Sequence, residues 1–135
     1  HYEARADDDL ALINCRVTNA VRCVPPQNKP TGPEVNTCKP FLADEIAAMK
    51  RLEVILALGG LAHGAVVVAL GHRKSAWKFG HNRRHDIPSL PILFNSYHCS
   101  RYNTNTGRLT PRMFEDVFSA IQAHFNSELC RTSGF

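Results

Sequence analysis

A run of hydrogen-bonding side chains from Asn95 to Thr110 is the part of the sequence best suited to chemistry. It follows a short apolar segment, Ile92 to Phe94, whose composition is typical of a buried β-strand. His98 lies where that strand is expected to end. In α/β proteins the carboxyl ends of parallel strands open onto a common crevice, and the loops there carry functional groups. The pattern predicts a functional loop; the alternative is a polar turn with no chemical role.

A helix is predicted directly after this loop. Thr110 is suited to the N-cap and Pro111 to the first helical position. We expect the helix to run to about Glu128, followed by a frayed tail. Its apolar side chains recur at helical spacing and are expected to face the core: Met113, Phe114, Val117, Phe118, Ile121 and Phe125.

The first half of the chain predicts a strand, a proline-rich loop and a helix. The strand is expected over Leu10–Val17, with Cys15 buried inside it. Thr31 and Glu34 have the spacing of a capping box, in which the glutamate reaches back to the N-cap backbone. Pro40 is expected to kink the helix that follows or to divide it in two.

The middle of the chain predicts a second strand and helix. Glu53–Leu58 is β-branched and apolar, and Gly59-Gly60 makes a tight turn into a helix over 61–70. The GxGxxG spacing of a phosphate-binding loop is absent, so close helix–strand packing explains these glycines better. His63 in this helix is more typical of a core or surface histidine than of a ligand. A short strand is expected around 77–79.

Strands alternating with helices predict an α/β fold, a three-layer α/β/α sandwich with a central parallel sheet. With 135 residues, a single domain over 1–135 is expected. The polar residues Thr18-Asn19 and Tyr97-His98, which follow two of the predicted strands, would then face the same crevice.

Charge is distributed unevenly along the chain. Residues 1–53 hold eight of the twelve acidic side chains. Residues 54–114 hold eight basic side chains against the single acid Asp86, a net charge of +7. Such a block suits contact with a phosphate backbone, and the alternative is a solvated basic face.

Cysteine and apolar content indicate a cytoplasmic protein without a membrane anchor. Five widely spaced cysteines do not resemble a disulfide framework, which favours a reducing cytosol. The longest apolar run, Ala65 to Leu70, is too short to cross a bilayer. The sequence opens polar and acidic, unlike a signal peptide.

Two blocks of the sequence resemble one enzyme family. Asn14 to Thr31, NCRVTNAVRCVPPQNKPT, resembles the second conserved block of uracil-DNA glycosylases that carry an iron–sulfur cluster. Tyr97 to Thr110, YHCSRYNTNTGRLT, resembles the long loop of the type 5 branch of these enzymes. The two blocks occur in the expected order, and the resemblance spans about Leu12 to Phe125.

The resemblance implies a role for individual residues. Asn19 matches the asparagine that reads the Watson–Crick edge of the flipped base, and His98 matches the histidine that stabilises charge on the departing base. Arg108 is expected to contact phosphates. His63 matches a recurrent family position without an assigned role. The remaining residues match the part of the loop that enters the minor groove: Ser100, Arg101 and Asn103.

The resemblance also implies a [4Fe–4S] cluster, with Cys23 and Cys38 as two of its four ligands. From spacing alone, two ordinary thiols are the alternative. The usual proline between His98 and Ser100 is Cys99 here. The family's first block, with a Gly-rich loop, an acidic residue and two more cysteines, has no match. The chain is therefore expected to be the carboxyl-terminal part of a glycosylase and to excise little by itself.

The predicted activity is hydrolysis of the N-glycosidic bond of uracil, with other deaminated bases left open. The expected partner is double- or single-stranded DNA containing uracil, met by a monomer associated with the bacterial nucleoid. A non-catalytic nucleic-acid-binding domain is the alternative from another functional class, and a redox or zinc module is a third hypothesis.

Overall fold

A three-stranded sheet lies at the centre of the computed structural model, which describes residues 11–22, 27 and 29–132. The described residues also form four helices and a 3-10 turn at Lys74–Ala76. In chain order the elements are α1 (Gly32–Ala48), β1 (Val54–Leu58), α2 (Gly60–Ala69), β2 (Arg84–His85), β3 (Ile92–Ser96), α3 (Arg101–Asn105) and α4 (Pro111–Thr132).

The sheet has the strand order β1-β3-β2. β1 and β3 are parallel, with Leu58 opposite Ser96 at their carboxyl ends. β2 is antiparallel to β3, with Arg84 opposite Phe94. The predicted α/β class is confirmed, but the sheet is mixed rather than wholly parallel. The connection from β2 to β3 covers only residues 86–91, and a parallel crossover needs about a dozen residues or more.

Helices pack on both faces of β3. A buried cluster of Leu42 on α1, Val66 and Val67 on α2, and Leu93 on β3 fills one face. Successive strand residues point to opposite faces, so the buried Phe94 points away from this cluster. α4 contacts β3 and buries Val117 completely. The sheet therefore lies between α1 and α2 on one side and α4 on the other.

α1 begins at the predicted capping box and continues past its proline. The backbone N–H of Thr31 donates to Glu34 Oε2 at 2.7 Å, as the sequence predicts. Pro40 lies inside the helix without dividing it. Pro40 lacks the N–H that would reach the carbonyl of Asn36, and both residues are exposed. Water can therefore satisfy that carbonyl, and the helix persists.

The strand predicted over Leu10–Val17 is wrong for every residue of it that the structure describes. Residues 11–22 form no strand, and Cys15 is exposed rather than buried in the sheet. Leu10 lies outside the described residues. A strand requires a neighbouring strand for its backbone hydrogen bonds, whereas residues 16–22 are attached to α1 by side chains.

The strand expected around 77–79 is also wrong, since a 3-10 turn precedes Trp77 and the next strand is β2. The last helix does begin after Thr110, whose hydroxyl accepts from Met113 N at 3.2 Å. It continues to Thr132, beyond the predicted frayed point. Its predicted core stripe is buried only in part, because Phe118 and Phe125 are 49% and 38% exposed.

Within the described ranges, no helix is both long and apolar enough to span a bilayer.

Candidate active site

The carboxyl ends of β1 and β3 lie side by side, next to His98. Gly59 follows β1, and its backbone N–H donates to the carbonyl of Ser96, the last residue of β3, at 2.8 Å. Gly59 has φ +94°, a conformation that favours glycine. His98 lies two residues beyond Ser96 and is exposed. The turn after one strand and the loop after its parallel neighbour thus form one surface.

Hydrogen bonds hold the His98 loop on both sides. The backbone N–H of Tyr97 donates to His81 Nδ1 at 3.1 Å. On the other side, the amide Nδ2 of Asn103 donates to the carbonyl of His98 at 2.8 Å. Ser100 is the N-cap of α3, where its hydroxyl accepts from Asn103 N at 3.4 Å. The backbone that carries the imidazole is therefore fixed while the imidazole itself faces solvent.

The ring of Tyr97 brings Arg108 to the same surface. The guanidinium carbon of Arg108 lies 4.9 Å from the centroid of the Tyr97 ring, a cation–π contact. The next residue, Leu109, is buried, and its N–H donates to the carbonyl of Asn103 at 3.0 Å. The loop after α3 thus folds back over Tyr97. Among the predicted site residues, the structure brings His98, Ser100, Asn103 and Arg108 together.

A buried histidine–asparagine pair joins α2 to the carboxyl end of β3. His63 Nδ1 lies 2.9 Å from Asn95 Oδ1, and His63 Nε2 lies 2.5 Å from the carbonyl of Trp77. His63 is 3% exposed and Asn95 is fully buried. The sequence left a core and a surface position open for His63, and the structure places it in the core with both ring nitrogens hydrogen-bonded. The adjacent His85 ring stays neutral more readily than usual, because burial, with the charges of His63 and Arg83, lowers the pKa of His85.

The predicted base-reading residue Asn19 lies on the segment that Glu45 attaches to α1. Arg22 donates to Glu45 Oε2 at 2.8 Å and Thr18 Oγ1 donates to the same oxygen at 3.0 Å. Arg16 Nε lies 2.6 Å from Glu45 Oε1. Asn19 is exposed, and across residues 11–22 and 29–132 no hydrogen bond joins it to His98. Their expected approach stays a prediction.

Glu45 is held in its charged form by these contacts. Burial by itself raises the pKa of Glu45, but hydrogen bonds from Thr18 and Arg22 and the charges of Arg16 and Arg22 outweigh it. The pKa of Glu45 therefore lies below its ordinary value. A single carboxylate thus attaches residues 16–22 to α1.

Comparison with known proteins places this arrangement in a family. The family model described as the uracil DNA glycosylase superfamily matches residues 2–122. The chain belongs to the uracil DNA glycosylase superfamily. The resemblance seen in the two sequence blocks is confirmed.

Several curated proteins similar to this chain are type-5 uracil-DNA glycosylases. The chain is 43% identical over 115 residues to the type-5 uracil-DNA glycosylase of Thermus thermophilus, covering 85% of this chain and 52% of that protein. It is 37% identical over 123 residues to the type-5 enzyme of Pyrobaculum aerophilum, covering 90% and 52%. The Mycobacterium bovis enzyme is 37% identical over 115 residues, covering 84% and 43%. The chain spans about half the length of the curated relatives it matches.

The predicted iron–sulfur cluster would need cysteine ligands. Cys38 is a buried thiol on α1, and Cys23 lies outside the described residues. Arg22, the residue before Cys23, forms an ion pair with Glu45. Glu45 lies two helical turns from Cys38, on the same face of α1. A buried sulfur donor suits an iron–sulfur cluster. Among the described side chains, no three of His, Cys, Asp or Glu converge as a metal site.

Most of the basic block predicted to contact DNA forms no ion pair with the acids that the structure describes. Arg84 is the exception, since it forms a two-point contact with Asp86 at 2.9 and 2.7 Å. No other basic side chain of residues 54–114 takes part in an ion pair with a described acid. Arg101, the first residue of α3, and Arg108 are both exposed beside the His98 loop.

Two features of this site were not predicted. His81 contacts the loop from sixteen residues away, and no local pattern marks it. α3 has only five residues, too few for helical periodicity to be visible, although Ser100 is a favourable N-cap.

Proposed function

We propose that the protein is a type 5 uracil-DNA glycosylase, which hydrolyses the N-glycosidic bond of uracil in DNA and leaves an abasic site. The observation that carries this proposal is the exposed His98 at the joined carboxyl ends of β1 and β3, with its backbone fixed by Tyr97 and Asn103 contacts. Membership of the superfamily and similarity to type-5 enzymes support it.

His98 would act on the departing base. A glycosylase extracts its target base from the stack and binds it in a pocket. As the N-glycosidic bond breaks, negative charge develops on uracil and positive charge on the sugar. An imidazole N–H directed at the base stabilises that negative charge most when it is already in place before the reaction. The fixed loop backbone supplies such preorganisation.

Asn19 would identify the base. A side-chain amide can both donate and accept, so it can pair with O4 and N3–H of uracil at once. Arg16, Thr18 and Arg22 surround Asn19 in the sequence, and all three contact Glu45. This attachment to α1 supports a defined position for the amide.

Ser100, Arg101, Asn103 and Arg108 would bind the DNA backbone around the flipped nucleotide. Arg101 and Arg108 are exposed, and Ser100 and Asn103 are partly buried between them, within a block whose net charge is +7. The proposed substrate is double- or single-stranded DNA containing uracil, bound by a monomer. A cytoplasmic location at the nucleoid stays a prediction.

Cys23 and Cys38 would hold a [4Fe–4S] cluster together with two further thiolates. The cluster would supply a structural cross-link rather than a step of the reaction, because it would tie the Asn19 segment to α1. Iron and sulfide, measured on protein purified anaerobically at the full length of the type-5 relatives, test this assignment. Well-folded, active protein without either element would reject the cluster, and zinc in their place would favour a zinc module.

The activity itself is tested on duplexes that contain a single uracil, with the chain extended to the length of its type-5 relatives, because the 135-residue chain by itself is expected to excise little. The proposal predicts abasic sites, detected as alkali-labile breaks at the uracil, and none in the matched cytosine duplex. The alternative of a non-catalytic nucleic-acid-binding domain predicts only retardation of both duplexes. Protein that retards DNA without producing breaks would overturn the proposed activity.

A further inference from the structure

We propose that His81 is a positioning residue for His98, acting through Tyr97. This inference deepens the proposed function and rests on it. The effect of His81 would be to fix the backbone from which His98 extends.

Two contacts join His81 to the residue that precedes His98. The Nδ1 atom of His81 accepts the backbone N–H of Tyr97 at 3.1 Å. The two rings also stack, with centroids 4.8 Å apart and planes inclined by 23°. A hydrogen bond and a ring stack together restrict both the backbone and the side chain of Tyr97.

His81 is itself held in register with the sheet. The next residue, Asn82, has φ +53° and donates its N–H to the carbonyl of Asn95 at 2.9 Å. The N–H of Asn95 donates to the carbonyl of Arg83 at 3.0 Å. These bonds continue the β2–β3 pairing to the carboxyl end of β3. The backbone that carries the His81 imidazole is therefore fixed to β3, the strand that leads into the His98 loop.

Removing His81 would release only one side of the His98 loop. The hydrogen bond from Asn103 to the carbonyl of His98 and the nearby Gly59 would remain. The loop would then pivot rather than unfold. A misplacement of about 1 Å at a reacting group can reduce rate roughly a hundredfold, so a small shift of His98 would be visible in the chemical step.

The test compares variants that keep one contact or neither. His81→Asn retains an acceptor near the position of Nδ1, His81→Phe retains a ring without an acceptor, and His81→Ala retains neither. His72→Phe is the matched control, because His72 contacts Trp77 with its ring and makes no described contact with the loop. Single-turnover excision of uracil and DNA affinity are measured for each variant in the chain extended to the length of its type-5 relatives.

We expect His81→Phe and His81→Ala to lower the single-turnover rate roughly tenfold to a hundredfold with little change in DNA affinity. His81→Asn should recover most of the rate, and His72→Phe should match the parent protein. In the His98→Ala background, His81→Phe should cause no further loss, because the residue it positions is gone. A purely structural role predicts additive losses instead.

The outcomes separate this inference from the proposed activity. Parent protein that makes no abasic sites would overturn the proposed function and this inference with it. Active parent protein, a slow His98→Ala variant and an unimpaired His81→Ala variant would overturn the role of His81 alone. If His81→Phe does not fold, His81→Ala and His81→Asn still decide the question.

Discussion

A methyl group placed on Gly59 would stand 3.2 Å from Cβ of His98. The glycine after β1 therefore leaves room for the histidine after β3, and the two strand ends define the position of His98 together. Glycine is therefore favoured at position 59 because the turn passes close to the His98 loop, in addition to the helix–strand packing inferred from the sequence.

Gly59→Ala should reduce excision and stability together. Gly59 has φ +94°, so alanine strains the backbone by about 1 kcal/mol or more and also displaces His98. Gly71→Ala is the matched control, because Gly71 has φ +85° with no atom within 4 Å of an added methyl. Both variants should unfold at lower urea concentration, but only Gly59→Ala should slow single-turnover excision. Equal rates in the two variants would contradict the His98 contact.

Asn95→Ala should destabilise the protein by about 1–3 kcal/mol, because it leaves Nδ1 of the buried His63 without its partner. The free energy of unfolding in urea measures this loss. Asn126→Ala, at an exposed position of α4, should change stability by less than about 0.5 kcal/mol. Similar losses in both variants would show that the buried pair contributes nothing specific.

Glu45→Gln should lower stability by about 1 kcal/mol at neutral pH, since it removes charged hydrogen bonds to partly exposed arginines. The pKa of Glu45 is lowered by folding, so its charge stabilises the protein above the unfolded pKa. That stabilisation is lost as pH falls through the folded pKa. The difference between Glu45→Gln and the parent protein should therefore vanish in acid.

The exposed neighbour Asp44 supplies the control for this titration. Asp44→Asn makes the same charge change on the same helix, outside the Glu45 contacts. Urea unfolding of the three proteins across acidic and neutral pH distinguishes them. A Glu45→Gln difference that persists in acid would mean that the carboxylate charge does not attach residues 16–22 to α1.

Arg108→Ala should weaken DNA binding about equally for every sequence and reduce the slope of log affinity against log salt by about one. Arg108 is exposed over the Tyr97 ring beside His98. Arg51→Ala is the control, because Arg51 precedes β1 and therefore lies at the amino end of the parallel strands, whereas the His98 loop lies at their carboxyl end. Equal effects at Arg51 and Arg108 would indicate diffuse charge rather than a DNA-binding loop.

Local patterns were sufficient to predict β1, α2, β3 and the start of α4. A short β-branched run, paired glycines and a Thr-Pro cap each specify local backbone geometry. The resemblance of residues 97–110 likewise located the loop around His98 before its geometry was known. Contacts within that loop, such as Asn103 to the His98 carbonyl, join residues close in sequence.

Contacts between distant segments could not be predicted in this way. The pairing of β2 with β3 brings His81 to Tyr97, and no period in the sequence encodes it. Residues 11–17 have strand-like composition, but composition does not supply a neighbouring strand. The burial of Asn95 was also missed, because a polar residue at a strand end looks like the start of a loop until His63 is found beneath it.

The most direct test of the account is single-turnover excision of uracil by the protein at the full length of its type-5 relatives and by the His98→Ala variant of that protein. Saturating protein isolates the chemical step, and circular dichroism and DNA affinity verify that the variant folds and binds. The account predicts uracil excision by the parent protein and a loss of roughly a hundredfold or more in the variant, as for removal of one preorganised donor. An equal rate in both proteins would contradict it, because His98 would then only position DNA.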